Sequence, residues 1–204
     1  MTSLERWSDL CKRLGAGGDV SAVYARLAEL HEGPRRAYHK LSHIEHCLDE
    51  FDDARELAEH PLEVEFAIWF HDAIYDPHAN DNEERSAALA QETARDMGLA
   101  DGFGARVADL ILTSKHATDP QGTDAEIFVD IDLAILGTSE VLFDAYEKDI
   151  RKEYYFVPEM IFRVKRAQIL RGFLDRKTIY STAYFREKYE RQARANIERS
   201  LARL

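Results

Sequence analysis

The sequence predicts an all-α fold in the form of a single-domain, compact helical bundle. Apolar residues recur at helical spacing along almost the whole 204-residue chain, and no segment shows the alternation of apolar and polar residues that marks a half-buried strand. The hydrophobic share of 45% and the charged share of 32% are typical of soluble globular proteins. A chain of this length buries a core without disulfides. We therefore predict one helical domain over residues 1–204.

Composition also limits which cellular compartment and which kinds of partner we expect for this protein. The net charge of -11 argues against a nucleic-acid polymer as a partner, and no apolar run approaches the roughly 18 residues of a membrane span. The N-terminal segment carries no secretory signal pattern. The isolated residues Cys11 and Cys47 fit free thiols in a reducing compartment. We expect a cytoplasmic protein that binds neither nucleic acid nor membranes.

The first two predicted helices, over residues 3–14 and 19–32, are amphipathic and separated by glycines. The next segment carries His39, His43 and His46 at positions i, i+4 and i+7. This spacing predicts that the three imidazoles share one face of a third helix. A chance arrangement of solvated histidines is the alternative.

An almost wholly apolar run that ends in adjacent His71 and Asp72 is the centre of the prediction. Residues 66–70 leave no polar face, so they predict a buried central helix, which Pro61 begins. Burying an unpaired carboxylate costs several kcal/mol, so Asp72 requires a cation, strong hydrogen bonds or a metal. His71 is a ready second ligand, and a local His–Asp pair at a helix end is the structural alternative.

Helical spacing of apolar residues continues through the second half of the chain. Helices are predicted over about 82–97, 103–116, 127–136, 138–156, 158–174 and 181–203. The apolar stripe of the last helix packs either on the domain or on a second subunit, so a homodimer is one expected assembly.

Three further polar residues in this half stand out. His116 lies at the C-terminal end of its helix, where a cationic side chain is also favoured for purely structural reasons. Asp130 and Asp132 alternate within an apolar run that Gly137 ends, which is costly unless a cation meets them. Helix capping is the structural alternative for both aspartates.

The chain carries, in this order, a helical His, a His-Asp pair, a later His and an Asp in an apolar run. This order of residues resembles that of the HD superfamily of metal-dependent phosphohydrolases. The likeness is closest to a bacterial branch of proteins of about this length. It implies an HD-type helical domain with a metal-site core at roughly 35–137, on which the N- and C-terminal helices pack. The matching motifs are residues 38–44, 69–76, 82–87, 111–116, 130–133, 166–170 and 173–180.

The resemblance implies one divalent metal ion bound by His43, His71, Asp72 and one of two aspartates, Asp132 or Asp130. His43 fits the first position better than His39 because an aliphatic residue follows it, as is typical of the family. Imidazole and carboxylate ligands suit Mn, Mg, Fe, Co, Ni or Zn, so the ligands alone do not name the metal.

The implied activity is hydrolysis of a small phosphomonoester or nucleotide by a metal-activated water. The alternatives are a non-catalytic, metal-stabilised signalling or binding module and an HD-type di-iron oxygenase, which requires more ligands than are apparent here. The candidate catalytic residues are Asp72, His116 and His39, and the candidate substrate-binding residues are Tyr38, Arg36, Lys115 and Arg166.

Overall fold

A computed structural model describes residues 2–116 and 118–204 of the chain, so positions 1 and 117 of the predicted domain lie outside the described part. The described residues form ten α-helices and two short 3₁₀ helices, Arg55–Leu57 and Leu133–Gly137, and contain no β-strand. The all-α prediction is confirmed. The α-helices are α1 (Ser3–Leu14), α2 (Val20–His31), α3 (Leu41–Ala54), α4 (Pro61–Phe70), α5 (Asn82–Asp96), α6 (Phe103–Thr113), α7 (Thr123–Asp132), α8 (Glu140–Glu153), α9 (Glu159–Asp175) and α10 (Ala183–Leu201).

Helix α4 is the centre of the fold, as its apolar sequence predicts. Every residue from Glu63 to Phe70 is buried, and the helix packs against α1, α3, α5, α6 and α7. The buried carboxylate of Glu65 is neutralised by Arg13 at 2.8 Å and by Arg55 at 2.6 Å. Because burial leaves α4 little freedom to shift, the residues that follow its C-terminal end are held in place.

The start of α3 differs from the prediction. The helix begins at Leu41, and Lys40 before it has extended backbone angles, so His39 does not share a helical face with His43 and His46. The cause is a carboxylate from α8: Glu153 Oε1 accepts hydrogen bonds from three successive backbone N–H groups, those of residues 37–39, at 2.8 to 3.0 Å. These bonds hold the segment in a turn.

Helix α10 crosses the 3₁₀ helix Leu133–Gly137 at close range. A Cβ atom on Gly137 would lie 2.4 Å from the Cβ atom of Tyr189, so only glycine fits between the two helices. Asn196 Nδ2 donates to the carbonyl oxygens of Leu136 and Thr138 at 2.9 Å. These contacts fix the chain immediately after the end of α7.

One continuous apolar core runs from Trp7 to Ile197, which fits a single domain. Cys11 and Cys47 are both free, as predicted, and both are buried. Across the described residues, no helix has both the length and the apolar character that crossing a bilayer requires.

Candidate metal centre

Four polar side chains from three parts of the chain converge beside α4. His43 lies on α3, His71 and Asp72 follow α4, and Asp132 is the last residue of α7. The Nε2 atoms of the two histidines are 3.2 Å apart. Asp72 Oδ2 lies 3.5 Å and Asp132 Oδ1 lies 3.4 Å from His43 Nε2. The same oxygen atoms of Asp72 and Asp132 lie 3.2 and 3.6 Å from His71 Nε2.

These separations fit a divalent metal ion. Ligands bound at about 2.0 to 2.2 Å with octahedral or tetrahedral angles lie about 2.8 to 3.6 Å from one another. The five separations around the two imidazoles span 3.2 to 3.6 Å. Two imidazoles and two carboxylates also match the donor chemistry of Mn, Fe, Co, Ni and Zn, and the carboxylates that of Mg. The residues present therefore fit a metal ion.

Hydrogen bonding orients His71 towards the centre of this group. Its Nδ1 atom lies 2.9 Å from the carbonyl oxygen of Ile68 and donates to it, so the lone pair of Nε2 faces the carboxylates. Burial lowers the pKa of His71, but Asp72 and Asp132 outweigh it and hold that pKa well above its ordinary value. The two half-buried carboxylates thus require positive charge, which either a proton or a cation supplies.

Cys47 also borders the group and was not a predicted ligand. His43, Cys47, His71 and Asp132 are buried or half-buried, their donor atoms all lie within 4.8 Å of one another, and together they could hold a metal ion. Cys47 Sγ is 3.7 Å from both Nδ1 and Nε2 of His43. A separation of 3.7 Å between Sγ and Nε2 is compatible with both atoms binding one metal ion. Asp72, whose Oδ2 atom lies 3.2 Å from His71 Nε2, is the other candidate for the fourth donor. The only sequence signal for Cys47 is its position four residues after His43.

The two acidic candidates of α7 have different surroundings. Asp132 belongs to the group, whereas the fully buried Asp130 accepts hydrogen bonds from the backbone N–H groups of Ser181 and Thr182 at 2.7 and 2.8 Å. Residues two apart on a helix point about 200° apart, so the two carboxylates cannot serve the same site. Burial raises the pKa of Asp130 to about 6. Asp130 joins α7 to the start of α10 and is excluded as a ligand.

Glu153 organises the edge of the site, and sequence reasoning missed it. Its Oε2 atom lies 2.6 Å from His39 Nδ1 and accepts from the hydroxyl of Tyr75 at 2.8 Å, while Oε1 holds the turn before α3. The ring of His39 stacks on Tyr75 with centroids 4.2 Å apart. Burial lowers the pKa of His39, but Asp72 and Glu153 raise it above its ordinary value. No local pattern distinguishes Glu153 from the other charged residues of α8.

His116 lies three residues beyond the end of α6 and contacts the group through Asp132. Its Nε2 atom is 3.1 Å from Asp132 Oδ2, so it orients the carboxylate whose other oxygen faces His43 and His71. Its backbone has a φ of 51°, a left-handed conformation that is uncommon outside glycine. Its Nδ1 atom is buried and has no hydrogen-bond partner among the described residues.

A cavity of about 860 Å³ opens onto this group. Three of the four predicted substrate-binding residues, Tyr38, Lys115 and Arg166, line it together with Asp72 and Asp132. Lys115 is paired with Glu84, and Arg166 is paired with Glu147 and donates to the hydroxyl of Tyr146. Lys165 also lines the cavity and was not predicted; it forms no ion pair within the described part of the chain.

The fourth predicted substrate residue, Arg36, has a different role. Its Nη1 atom donates to the carbonyl oxygens of His39 and Asp72 at 2.6 and 2.8 Å, and its Nη2 atom donates to that of Ala73 at 2.8 Å. The side chain is buried. This geometry contradicts the prediction that Arg36 binds substrate, because its donors tie the turn before α3 to the turn after α4.

The fold and the site together define an all-α protein with a His/Asp group that could hold a metal ion beside a large cavity. No protein-family model, curated protein or solved structure matches the chain. Function is therefore inferred from the residues of the site and their geometry.

Proposed function

We propose that this chain is an HD-type, metal-dependent phosphohydrolase that hydrolyses a small phosphomonoester or nucleotide. The observation that carries the proposal is the convergence of His43, His71, Asp72 and Asp132 at the wall of the cavity. Both imidazoles are buried behind the two carboxylates, and both carboxylates line the cavity. These four residues would hold a divalent cation at the wall of the cavity, where a substrate could reach it.

A bound divalent cation would supply a Lewis acid that lowers the pKa of water and neutralises charge on phosphorus. Asp72 and Asp132 would hold that cation beside the cavity, and His43 and His71 would complete the ligand set as neutral imidazoles. His116 donates from Nε2 to Asp132 Oδ2, which keeps the other oxygen of that carboxylate directed at the two imidazoles.

Hydrolysis also requires a group that gives a proton to the leaving oxygen. His39 lines the cavity, and its Nδ1–H bond to Glu153 leaves Nε2 as the nitrogen that serves the substrate. The two nearby carboxylates favour the imidazolium form, since they raise the pKa of His39. Water adds its oxygen to phosphorus, the ester P–O bond breaks, and the Nε2 proton of His39 passes to the departing alkoxide. A proton of the attacking water stays on the phosphate product and returns from it to His39, which restores the imidazolium.

The phosphate itself needs positive neighbours. Lys165 is the best-placed cation because it lines the cavity and has no carboxylate partner in the described ranges, whereas Lys115 and Arg166 are already paired. The buried hydroxyl of Tyr38 has no hydrogen-bond partner among the described residues and is a further donor available to a phosphate oxygen.

The test combines metal analysis with turnover. Purified protein is stripped with EDTA, reloaded with Mn, Co, Ni or Zn, and assayed for phosphate release from nucleotides, sugar phosphates and simple alkyl or aryl phosphates. We expect metal to raise the melting temperature by mass action and at least one ester to be hydrolysed. Asp72→Ala should abolish both effects, whereas Glu92→Ala, an exposed carboxylate on α5, should change neither.

Two results would overturn the proposal. A folded, metal-loaded protein that is inert towards every ester would favour a non-catalytic signalling or binding module. Turnover that persists unchanged in Asp72→Ala would identify a contaminating phosphatase.

A further inference from the structure

The cavity beside the metal group has two chemically different ends. One end carries the carboxylates of Asp72 and Asp132 with the imidazoles of His39 and His116. The other end is formed by α8, α9 and the loop between them, and its wall consists largely of apolar side chains. The apolar residues used in the argument are Ile150, Val157, Ile161, Phe162 and Ile169.

Two residues of the apolar wall are largely exposed to open space. Ile161 and Ile169 are 53% and 52% exposed although both line the cavity. Large apolar side chains left in water favour an occupant that covers them, because burying them releases ordered water. Cavities of about 300 to 1,000 Å³ accommodate ligands of drug size, so this one exceeds the needs of a phosphate group alone.

The side chains of Ile161 and Ile169 offer no hydrogen-bonding group, and the neighbouring Arg166 is already engaged. Arg166 donates to the hydroxyl of Tyr146 and to Glu147. A sugar placed against Ile161 and Ile169 would leave hydroxyl groups without partners, and burying an unpaired hydroxyl is costly. An aliphatic or aromatic group meets no such penalty.

We propose that the substrate is an amphiphilic phosphomonoester, in which one phosphate is attached to an aliphatic or aromatic group that lies against α8 and α9. The phosphate occupies the end at Asp72 and Asp132, and Lys165, on α9 beside the wall, is the cation available between the two ends. This inference rests on the proposed phosphohydrolase activity and narrows its substrate class.

The first measurement is binding. Calorimetric titrations of Mn-loaded protein with methylphosphonate and with n-hexylphosphonate compare two non-hydrolysable probes that share one head group. Each buried methylene tightens binding by about fourfold, so we expect the hexyl compound to bind at least about tenfold more tightly. The second measurement compares kcat/KM for n-hexyl phosphate and phenyl phosphate with kcat/KM for ribose 5-phosphate and glycerol 3-phosphate, and we expect the first pair to be preferred.

Variants of α9 test where the apolar group lies. Ile161→Asn with Ile169→Asn should bring the affinities of the two phosphonates within about threefold of each other, since both wall residues become polar. Val164→Asn is the matched control, because Val164 is 55% exposed on the same helix and lies outside the cavity wall; the preference should survive there. All three positions are exposed, so both proteins are expected to remain folded, which circular dichroism checks.

The outcomes separate the two proposals. Equal phosphonate affinities together with preferred turnover of ribose 5-phosphate would overturn the amphiphilic substrate and leave the phosphohydrolase intact. A hexyl preference that depends on Ile161 and Ile169, with no ester hydrolysed, would overturn phosphate hydrolysis while supporting the apolar binding wall. A hexyl preference that is unchanged in the double variant would place the apolar group elsewhere and overturn the inference.

Discussion

Glu153 Oε2 lies 2.6 Å from His39 Nδ1 although the two residues are 114 positions apart in the chain. The same carboxylate accepts from the backbone N–H groups of residues 37–39. A single side chain of α8 therefore sets both the backbone that precedes α3 and the ring orientation of His39.

Glu153→Gln should impair catalysis without removing the metal. An amide cannot accept every one of these hydrogen bonds and carries no charge, so the pKa of His39 should fall towards its ordinary value and kcat should drop by about 10- to 100-fold. Metal analysis checks that the metal is retained, steady-state kinetics measure kcat, and an NMR titration measures the pKa of His39. Glu140→Gln, an exposed position on the same helix, is the control, and a loss of metal in Glu153→Gln would contradict a positioning role.

Glu153 should also make the free energy of unfolding depend on pH. Burial raises the pKa of Glu153, but His39 and the backbone N–H groups outweigh it and lower that pKa from 4.5 to about 2. The unfolded chain therefore takes up this proton first as the pH falls. The contribution of the Glu153 carboxylate to the free energy of unfolding is fully present above about pH 4.5 and is lost as the pH falls towards 2. Urea unfolding should show that wild type has a larger free energy of unfolding than Glu153→Gln at pH 7 and that this difference shrinks as the pH falls from 4.5 towards 2. A difference that does not change with pH would contradict this prediction.

Asp132→Asn and Asp130→Asn should have different consequences. The Asp132 change should strongly reduce metal occupancy, since it removes a charged donor 3.4 Å from His43 Nε2. The Asp130 change should leave occupancy intact and cost about 1 to 3 kcal/mol of unfolding free energy, the usual effect of weakening buried hydrogen bonds to backbone N–H groups. Metal analysis and urea unfolding of both variants provide the comparison. Equal metal loss in both would contradict the separate surroundings of the two carboxylates.

His116→Asn tests the support of Asp132. Asparagine tolerates the left-handed backbone of this position, so the loss is confined to the imidazole that contacts Asp132 Oδ2. We expect metal affinity or kcat to fall by about 10- to 100-fold, the usual effect of removing a group that orients a ligand. Isothermal titration with Mn and steady-state kinetics measure the two quantities. Unchanged values in both would show that Asp132 needs no such support.

Gly137→Ala should destabilise the fold. The added Cβ atom would lie 2.4 Å from Tyr189 Cβ, and forcing α10 away from the 3₁₀ helix should cost about 1 to 3 kcal/mol or more. Gly172→Ala is the matched control, because no atom lies within 4 Å of a Cβ there and helical alanine is favoured by about 1 kcal/mol. The melting temperature should therefore fall in Gly137→Ala and rise in Gly172→Ala. An unchanged melting temperature in Gly137→Ala would argue against the tight crossing of α10 and the 3₁₀ helix.

The sequence by itself was sufficient for the fold class and for the buried helix α4, because both depend on the periodicity of neighbouring residues. It also singled out the adjacent His71 and Asp72, since a charge after an apolar run needs a partner wherever the chain folds. Whether these residues bind metal stays a prediction.

Only the tertiary structure separated Asp132 from Asp130, placed His39 ahead of α3 and directed Arg36 to carbonyl groups. Each of these outcomes depends on a partner far along the chain, such as Glu153 for His39 and Ser181 for Asp130. Local periodicity carries no information about such pairs, because hydrogen bonds between distant segments form only once the helices have packed.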